Sequence, residues 1–297
     1  MRCTMDKRFA VAAASGTFKG VFTHGVLAAF ESAQFFADAY ACASSSVISS
    51  TLAAIGAARS VGVAYWQDAD TMARSSDKNM SRVVMHSIHR YGPLIKNALF
   101  SSPPNRIRVL VFVSAVNNDD AAAVTQGDGA ERLGKRLLIN ALKGDNTWAE
   151  KNLDKVCFDN QAIEFGFSLT PDNFDEVVYA STRMLHAWKQ PAWVDGKPCI
   201  DASYTCMCPA YELCAMGYQE VLAIGTEPGT LFTDIFRKRA IEEGMIGTAK
   251  LSIIVPDYDL KTVGVDFTSA TDDGLKAAYH HGYQKGLAFL ASQIRRK

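Results

Sequence analysis

The sequence predicts an α/β fold with a mostly parallel central sheet flanked by helices. Short apolar runs alternate along the chain with segments of helical periodicity, a pattern typical of repeated strand–helix units. No internal repeat and no linker rich in proline, glycine or serine divides the 297 residues. Hydrophobic residues make up 48% of the chain, enough for a substantial core. We therefore predict one domain over residues 1–297.

The first two units of this pattern lie in residues 8–58. An apolar run over residues 9–14 ends in the turn 15–20, and a helical pattern follows over residues 21–32. A second apolar run over residues 37–41 ends in a serine-containing turn at residues 42–46, which leads into another helix. Both turns follow the carboxyl end of a predicted parallel strand, where open α/β sheets place their functional groups. The functional site is therefore predicted at these two turns.

Later elements follow the same alternation. The hairpin over residues 193–203 turns at Asp195-Gly196, a dipeptide that favours a tight β-turn. The remaining predictions are a strand at 106–114, a loop at 118–128, helix over 129–154 and 174–184, strands at 220–225 and 251–256, and a closing helix at 273–296. Residues 60–104 are predicted to form helices and loops that cover the site.

Composition excludes several classes of protein. Lys plus Arg and Asp plus Glu each number 31, so no basic footprint for nucleic acid is expected. Residues 1–8 lack the apolar segment of a secretory signal, and no apolar run is long enough to span a bilayer. These features predict a cytoplasmic protein. Without a clear basic amphipathic helix, contact with a membrane surface is expected to be transient at most.

The chain has seven cysteines, an odd number that argues against a disulfide framework. Cys206, Cys208 and Cys214 are close in sequence, but their spacing is not that of a zinc site, and no histidine accompanies them. His86 and His89 have a helical spacing that also occurs on solvated helix faces. We therefore predict that the protein uses no metal and no cofactor.

Three consecutive serines compete for the place of a nucleophile after the second strand. A serine on a sharp strand-to-helix turn needs small residues two positions before and two after it. Ser44 has Cys42 and Ser46 there, whereas Ser45 has the β-branched Val47 on one side. Ser44 is therefore the predicted nucleophile and Ser45 the reserve. A serine triplet that only caps a helix is the alternative.

The first turn has the features of an oxyanion site. The backbone amides of Gly16, Thr17 and Phe18 are predicted to lie at the same end of the sheet as Ser44, where they can stabilise negative charge on an acyl oxygen. A turn that binds phosphate is the alternative, but the spacing of Gly16 and Gly20 matches neither the dinucleotide fingerprint nor the P-loop. Asp201, at the end of the hairpin's return strand, supplies a carboxylate that can face this site.

Together these elements resemble the patatin-like phospholipases and acyl hydrolases. The family's glycine-rich oxyanion motif aligns with residues 15–20, including Lys19 and Gly20, and its nucleophile elbow with residues 42–46. The family's Asp-Gly motif aligns with Asp201-Ala202. Several family glycines are replaced here, at Ser15, Thr17, Cys42, Ser46 and Ala202. A turn that needs positive φ at Thr17 would be strained.

The resemblance implies a three-layer patatin-like fold and a Ser44–Asp201 catalytic dyad without histidine. Asp201 would take the proton of Ser44, the residues Gly16 to Phe18 would bind the oxyanion, and Lys19 would orient the turn or contact an anionic head group. The expected substrate is a lipid or another acyl ester or thioester. Three alternatives stay open, namely a Ser-His-Asp triad with His186, an acyltransferase on the same dyad, and a catalytically inactive binding protein.

Overall fold

A computed structural model describes residues 8–101, 107–161 and 166–294. Residues 1–7, which bear on the expected lack of a secretory signal, lie outside these ranges. Residue 106, where the third strand was predicted to begin, and residues 295–296, at the predicted end of the last helix, also lie outside them.

The protein is an α/β structure with a mostly parallel central sheet, as predicted. The sheet has the strand order β11-β12-β8-β1-β2-β3-β4-β5, and β6 and β7 form a hairpin that joins it at β3. The strands are β1 (Phe9–Ala13), β2 (Ala39–Ala43), β3 (Arg108–Val116), β4 (Leu153–Asp159), β5 (Phe167–Ser168), β6 (Trp193–Val194), β7 (Lys197–Ile200), β8 (Glu220–Ile224), β9 (Leu231–Phe232), β10 (Ala240–Ile241), β11 (Gly244–Ile246) and β12 (Ala249–Ile254). Short β9 and β10 pair only with each other.

Helices cover both faces of the sheet and give the fold three layers. The helices are α1 (Gly20–Ser32), α2 (Ser46–Ala54), α3 (Ala58–Val61), α4 (Ala64–Ser75), α5 (Met80–Leu99), α6 (Asp119–Gln126), α7 (Ala130–Leu142), α8 (Thr147–Asn152), α9 (Phe174–Thr182), α10 (Ala210–Ala215) and α11 (Asp272–Ile294). Val11 and Val111 face a core shared with α1, α2, α5 and α9, whereas Ala12 and Leu110 face the core under α10. Alternate strand residues thus contact opposite layers, which explains why these strands are apolar over most of their length.

The central strands β12, β8, β1, β2 and β3 run parallel, and their carboxyl ends meet at one edge. Strand β3 extends beyond the end of β2. Ala43, the last residue of β2, pairs with Phe112, and β3 continues to Val116. Antiparallel β4 occupies one side of β3 as far as Val116. The β7 strand therefore pairs where β2 has ended, with Ile200 opposite Ser114, and runs antiparallel toward the end of β2. This register brings the residues after Ala43 and Ile200 together.

Helices α1 and α11 cross at glycine contacts. A Cβ atom on Gly25 would lie 2.0 Å from the carbonyl oxygen of Tyr279, and one on Gly282 would lie 2.0 Å from that of Phe22. Both glycines are therefore required by the close approach of the two backbones. This contact fixes α11 against the helix that begins directly after the first turn.

Two predicted elements differ in the structure. The predicted loop at residues 118–128 contains helix α6, because the Asn118 side chain accepts a hydrogen bond from the Ala121 amide and caps the helix at its start. The predicted helix over 129–154 is two helices, α7 and α8, and strand β4 begins at Leu153. Strand β4 carries Asp154 and Lys155 side by side, so its apolar pattern is weak and its pairing with β3 decides its conformation.

In the described part of the chain, no helix combines the length and the apolar character that crossing a membrane requires. The predicted turn at Asp195-Gly196 is present, with φ values of 48° and 76° in the left-handed region that such hairpin turns use.

Candidate functional site

Ser44 lies on the sharp turn between β2 and α2. Its φ of 57° is in the left-handed region, an uncommon conformation for a residue other than glycine. The Ser46 hydroxyl, in the place of an elbow glycine, lies 2.9 Å from the Ala13 carbonyl oxygen and accepts a hydrogen bond from the Ala43 amide at 3.1 Å. The Ser44 amide donates to the Ser181 hydroxyl at 2.9 Å. These contacts hold the strained turn to β1 and α9.

The Ser44 hydroxyl donates a 2.8 Å hydrogen bond to Oδ2 of Asp201, and both residues are buried. The other carboxylate oxygen of Asp201, Oδ1, accepts the Ser203 amide at 2.7 Å and the Ser203 hydroxyl at 2.5 Å. The Ser114 hydroxyl donates to the backbone carbonyl of Asp201 at 2.8 Å. Asp201 is therefore fixed in position, and one of its oxygens is directed at the serine.

Burial raises the pKa of Asp201 from 3.8 to about 6, although the hydrogen bonds from Ser203 and Ser44 lower it. Among the described residues Asp201 forms no ion pair. Buried and without an ion pair, the Asp201 carboxylate is more basic than an ordinary aspartate, yet it is still ionised at neutral pH. This combination suits a general base.

The predicted oxyanion turn adjoins Ser44. No acceptor is found for the amides of Gly16, Thr17 and Phe18 within the described residues, since they begin a 3₁₀ turn at residues 17–19. Thr17 has a φ of 46°, so the strain expected for this residue is present. A Cβ atom on Gly16 would lie 2.4 Å from Oγ1 of Thr226, and glycine is therefore required there. The amide of Ser15, in contrast, donates to the Met207 carbonyl oxygen.

The Lys19 side chain connects the first turn to two neighbouring loops through ion pairs. Its ammonium donates to Glu227 at 2.6 Å and to Asp259 at 2.8 Å, and the residue is only 2% exposed. Burial lowers the pKa of Lys19, but the hydrogen bonds and charges of Asp259 and Glu227 outweigh burial, and the pKa is raised overall. The ammonium is thus bound to the loops after β8 and β12. The predicted alternative contact, with an anionic head group, would have to displace these carboxylates.

Replacing Lys19 with methionine is expected to destabilise the protein by about 2–4 kcal/mol, because two carboxylates would lose the buried cation that pairs with both. The matched control is Lys261→Met, since Lys261 is exposed and its ion pair in the described structure is with Asp266. That control is expected to cost less than about 1 kcal/mol. Chemical denaturation of both variants measures the difference, and equal losses would contradict this account of Lys19.

A cavity of about 710 Å³ opens beside the Ser44–Asp201 pair. We call it the wide cavity. Ser15, Gly16, Thr17, Ser44 and Ser203 lie on its inner wall. Most of its surface is apolar, and it reaches solvent at Leu142, which is 84% exposed. The remaining lining includes Leu138, Leu231, Phe232, Ile235, Phe267 and Arg237.

The other candidate residues lie outside the pair. The Ser45 hydroxyl is buried, and across the described ranges it has no hydrogen-bond partner, Asp201 included. His186 lines the wide cavity, but both oxygens of Asp201 are bound to serines, so no Ser-His-Asp triad is formed. Cys206 and Cys208 are buried in the core under α10. Over residues 8–101, 107–161 and 166–294, no cluster of His, Cys, Asp or Glu is arranged to hold a metal ion.

Three serines of the site make hydrogen bonds that were not predicted from the sequence. Ser46 bridges the elbow to β1, Ser181 binds the Ser44 amide, and Ser203 binds Asp201. Ser46 and Ser203 lie two positions after Ser44 and Asp201 in the sequence, so they could have been predicted to belong to the site. Ser181 comes from α9, and only the tertiary structure brings it to the elbow.

Comparison with models of known protein families gives no match for this chain. Comparison with curated proteins also gives no match.

Proposed function

We propose that the protein is a serine acyl hydrolase that cleaves an ester or thioester through a Ser44–Asp201 dyad and a covalent acyl-enzyme. One observation carries the proposal, the 2.8 Å hydrogen bond from the Ser44 hydroxyl to a buried carboxylate that forms no ion pair within the described part of the chain. The resemblance of three motifs to patatin-like acyl hydrolases also favours it. The α/β sheet, with both turns at the carboxyl edge of its strands, is compatible with that resemblance.

In the proposed mechanism Asp201 removes the hydroxyl proton as the Ser44 oxygen attacks the acyl carbonyl carbon. The carbonyl oxygen becomes an oxyanion, which the free amides of Gly16, Thr17 and Phe18 stabilise. The bond to the leaving oxygen or sulfur then breaks, and Asp201 returns its proton to the leaving group. A water molecule attacks the acyl-enzyme in the same way, so that the acid is released and the Ser44 hydroxyl is restored.

The Ser203 and Ser44 contacts give Asp201 a defined role at each stage. Ser203 holds Oδ1 through its amide and hydroxyl, which leaves Oδ2 to exchange the proton with Ser44. The wide cavity offers an open route for substrate and water to Ser44, which lies on its inner wall.

A fluorophosphonate probe, which reacts with activated serines, tests the proposal. We expect the wild-type chain to be labelled at Ser44, with peptide mapping to locate the adduct. The labelling rate is expected to rise as pH increases through about 6, because Asp201 must be ionised to accept the proton.

The variants Ser45→Ala and Ser44→Ala serve as controls for this experiment. Labelling should persist in Ser45→Ala and be lost in Ser44→Ala. A folded wild type that takes no label would reject the hydrolase proposal and favour a catalytically inactive binding protein. Transfer of the acyl group to an added alcohol or amine, in preference to water, would indicate the acyltransferase alternative.

A further inference from the structure

A second, smaller cavity touches Ser44 on the side away from Ser203. Its volume is about 40 Å³, and we call it the small cavity. Ser44, Thr17 and Trp188 line both cavities, whereas Ser15 and Ser203 line only the wide one. The nucleophile thus lies at the junction of two spaces of very different size. The small cavity's remaining lining is Phe18, Ser45, Ile48, Tyr65, Trp66, Ala69, Met80, Val83, Val84, Ser87, Val178 and Thr182.

The proton path decides which part of a substrate enters each cavity. The leaving group must receive its proton from Asp201, so it lies on the side whose wall includes Ser203, which binds that carboxylate, and Ser15, which is hydrogen-bonded to Ser203. That side is the wide cavity. The oxyanion is bound by the turn at residues 16–18, and the acyl substituent of the tetrahedral carbon must take the remaining direction, toward the small cavity.

The small cavity also carries unpartnered hydrogen-bonding groups. Thr17 Oγ1, Ser45 Oγ and Trp188 Nε1 are buried, and none of them has a hydrogen-bond partner among the described residues. Trp188 is only 3% exposed. A buried hydrogen-bonding group that is left unpaired is destabilising. Thr17 and Trp188 line both cavities, so their unpartnered groups lie at the junction beside Ser44, where the polar ester or thioester group of a substrate would lie.

The far wall of the small cavity is rigid. The indole N–H of Trp66 donates to Nδ1 of His24 at 3.0 Å, and Nε2 of His24 lies 2.8 Å from the Ala58 carbonyl oxygen. Burial lowers the pKa of His24 to about 4, so the ring stays neutral and keeps these bonds at neutral pH. A Cβ atom on Gly20 would lie 2.8 Å from Trp66, which shows how closely the indole is packed.

We propose that the small cavity is the acyl subsite, that it accepts acyl groups of about two to four carbons, and that the wide cavity receives a larger leaving group. A volume of about 40 Å³ has room for about three water-sized groups. A longer chain would have to displace Trp66, Met80 or Val83, all of which are buried. This assignment rests on the proposed acyl hydrolase function.

The test is acylation of the full-length protein by 4-nitrophenyl esters of 2, 4, 8 and 12 carbons, followed as release of 4-nitrophenol. The leaving group is constant, so the rate reports the acyl chain. We expect the two- and four-carbon esters to react at least about tenfold faster than the longer ones. Labelling by a fluorophosphonate probe, mapped to Ser44, is measured in parallel.

Variants of the wall test the assignment further. Trp66→Leu is expected to raise the rate with the eight-carbon ester relative to the two-carbon ester by about tenfold or more. Met80→Ala, which enlarges the cavity at a second position, is expected to have the same effect. Ala69→Val should shift the preference toward the two-carbon ester. Leu142→Ala is the matched control, because Leu142 lines only the wide cavity, and its chain-length profile should equal that of the wild type.

The outcomes separate this inference from the function on which it rests. Labelling at Ser44 together with fastest reaction of the 8- or 12-carbon ester would overturn the acyl subsite and leave the hydrolase proposal intact. Labelling at Ser44 with no release from any ester would overturn it as well. No labelling and no release would reject the hydrolase proposal itself.

Discussion

Replacing Ser44 with alanine is expected to lower kcat/KM for a short-chain 4-nitrophenyl ester by at least about 10⁴-fold. The proposed acyl-enzyme forms on the Ser44 oxygen, and no other hydroxyl of the described residues donates to Oδ2 of Asp201. The fold should persist, because Ser46 and the Ser44 amide hold the turn through contacts that the substitution leaves in place. The free energy of unfolding is expected to change by less than about 2 kcal/mol, the cost of one lost hydrogen bond.

Ser45→Ala is the matched control for this prediction, since the two serines are adjacent. The Ser45 hydroxyl has no hydrogen-bond partner in the residues that the structure describes, so its removal breaks no hydrogen bond seen there. Its activity should fall by less than about tenfold, a loss confined to the donor that it contributes beside the nucleophile. A larger loss in Ser45→Ala than in Ser44→Ala would place the nucleophile one residue later. Retention of a tenth of the activity in Ser44→Ala would contradict the dyad.

Asp201→Asn is expected to lower kcat/KM by about 10²–10⁴-fold, because an amide cannot accept the Ser44 proton. The same change should stabilise the fold at pH 8. The pKa of Asp201 is raised from 3.8 to about 6, so above pH 6 the folded wild type holds a carboxylate that burial disfavours. Asparagine carries no charge, and the gain is expected to be about 1–3 kcal/mol.

The stability difference between Asp201→Asn and the wild type is expected to depend on pH. The wild type binds the Asp201 proton more tightly when folded than when unfolded, so its stability falls as pH rises from about 4 to 6 and is constant above that range. The advantage of Asp201→Asn should therefore be full at pH 8 and shrink toward zero near pH 4. Urea denaturation at several pH values measures it. An Asp201→Asn protein that is less stable than the wild type at pH 8 would contradict the raised pKa.

Asp159 is the matched control, because it is as fully buried as Asp201 but is paired with a cation. Its Oδ2 accepts hydrogen bonds from Nε and Nη2 of Arg108 at 3.1 and 2.8 Å, and Arg108 is itself buried. Asp159→Asn should destabilise the protein by about 3–5 kcal/mol, since it leaves a buried guanidinium without its counter-charge. Opposite effects of the same substitution at two buried aspartates would distinguish the functional carboxylate from the structural one.

Much of the site was predictable because its signals are local. Small residues around Ser44, a glycine-containing turn after the first strand and Asp201 after a hairpin are all visible within short windows of sequence. The apolar core strands β1, β2, β3 and β8 were predictable for the same reason, since strands covered on both faces are apolar throughout.

Elements whose conformation depends on contacts with distant parts of the chain were harder to predict. Strand β4 begins with Leu153 and then carries Asp154 and Lys155, a pattern that does not distinguish strand from helix until β3 is beside it. Helix α6 is short and largely polar, so its sequence is also typical of a loop, although Asn118 caps it as a helix. The pair of Arg108 and Asp159 likewise joins residues 51 positions apart.

The side chains at the ends of the strands could be identified from sequence alone, because strand runs and sharp turns are encoded locally. That β7 runs antiparallel toward the end of β2 and brings Asp201 to Ser44 became visible in the folded chain. The same is true of the raised pKa of Asp201 and the sizes of the two cavities. These properties depend on strand register and burial, which are set by contacts between residues far apart in the chain.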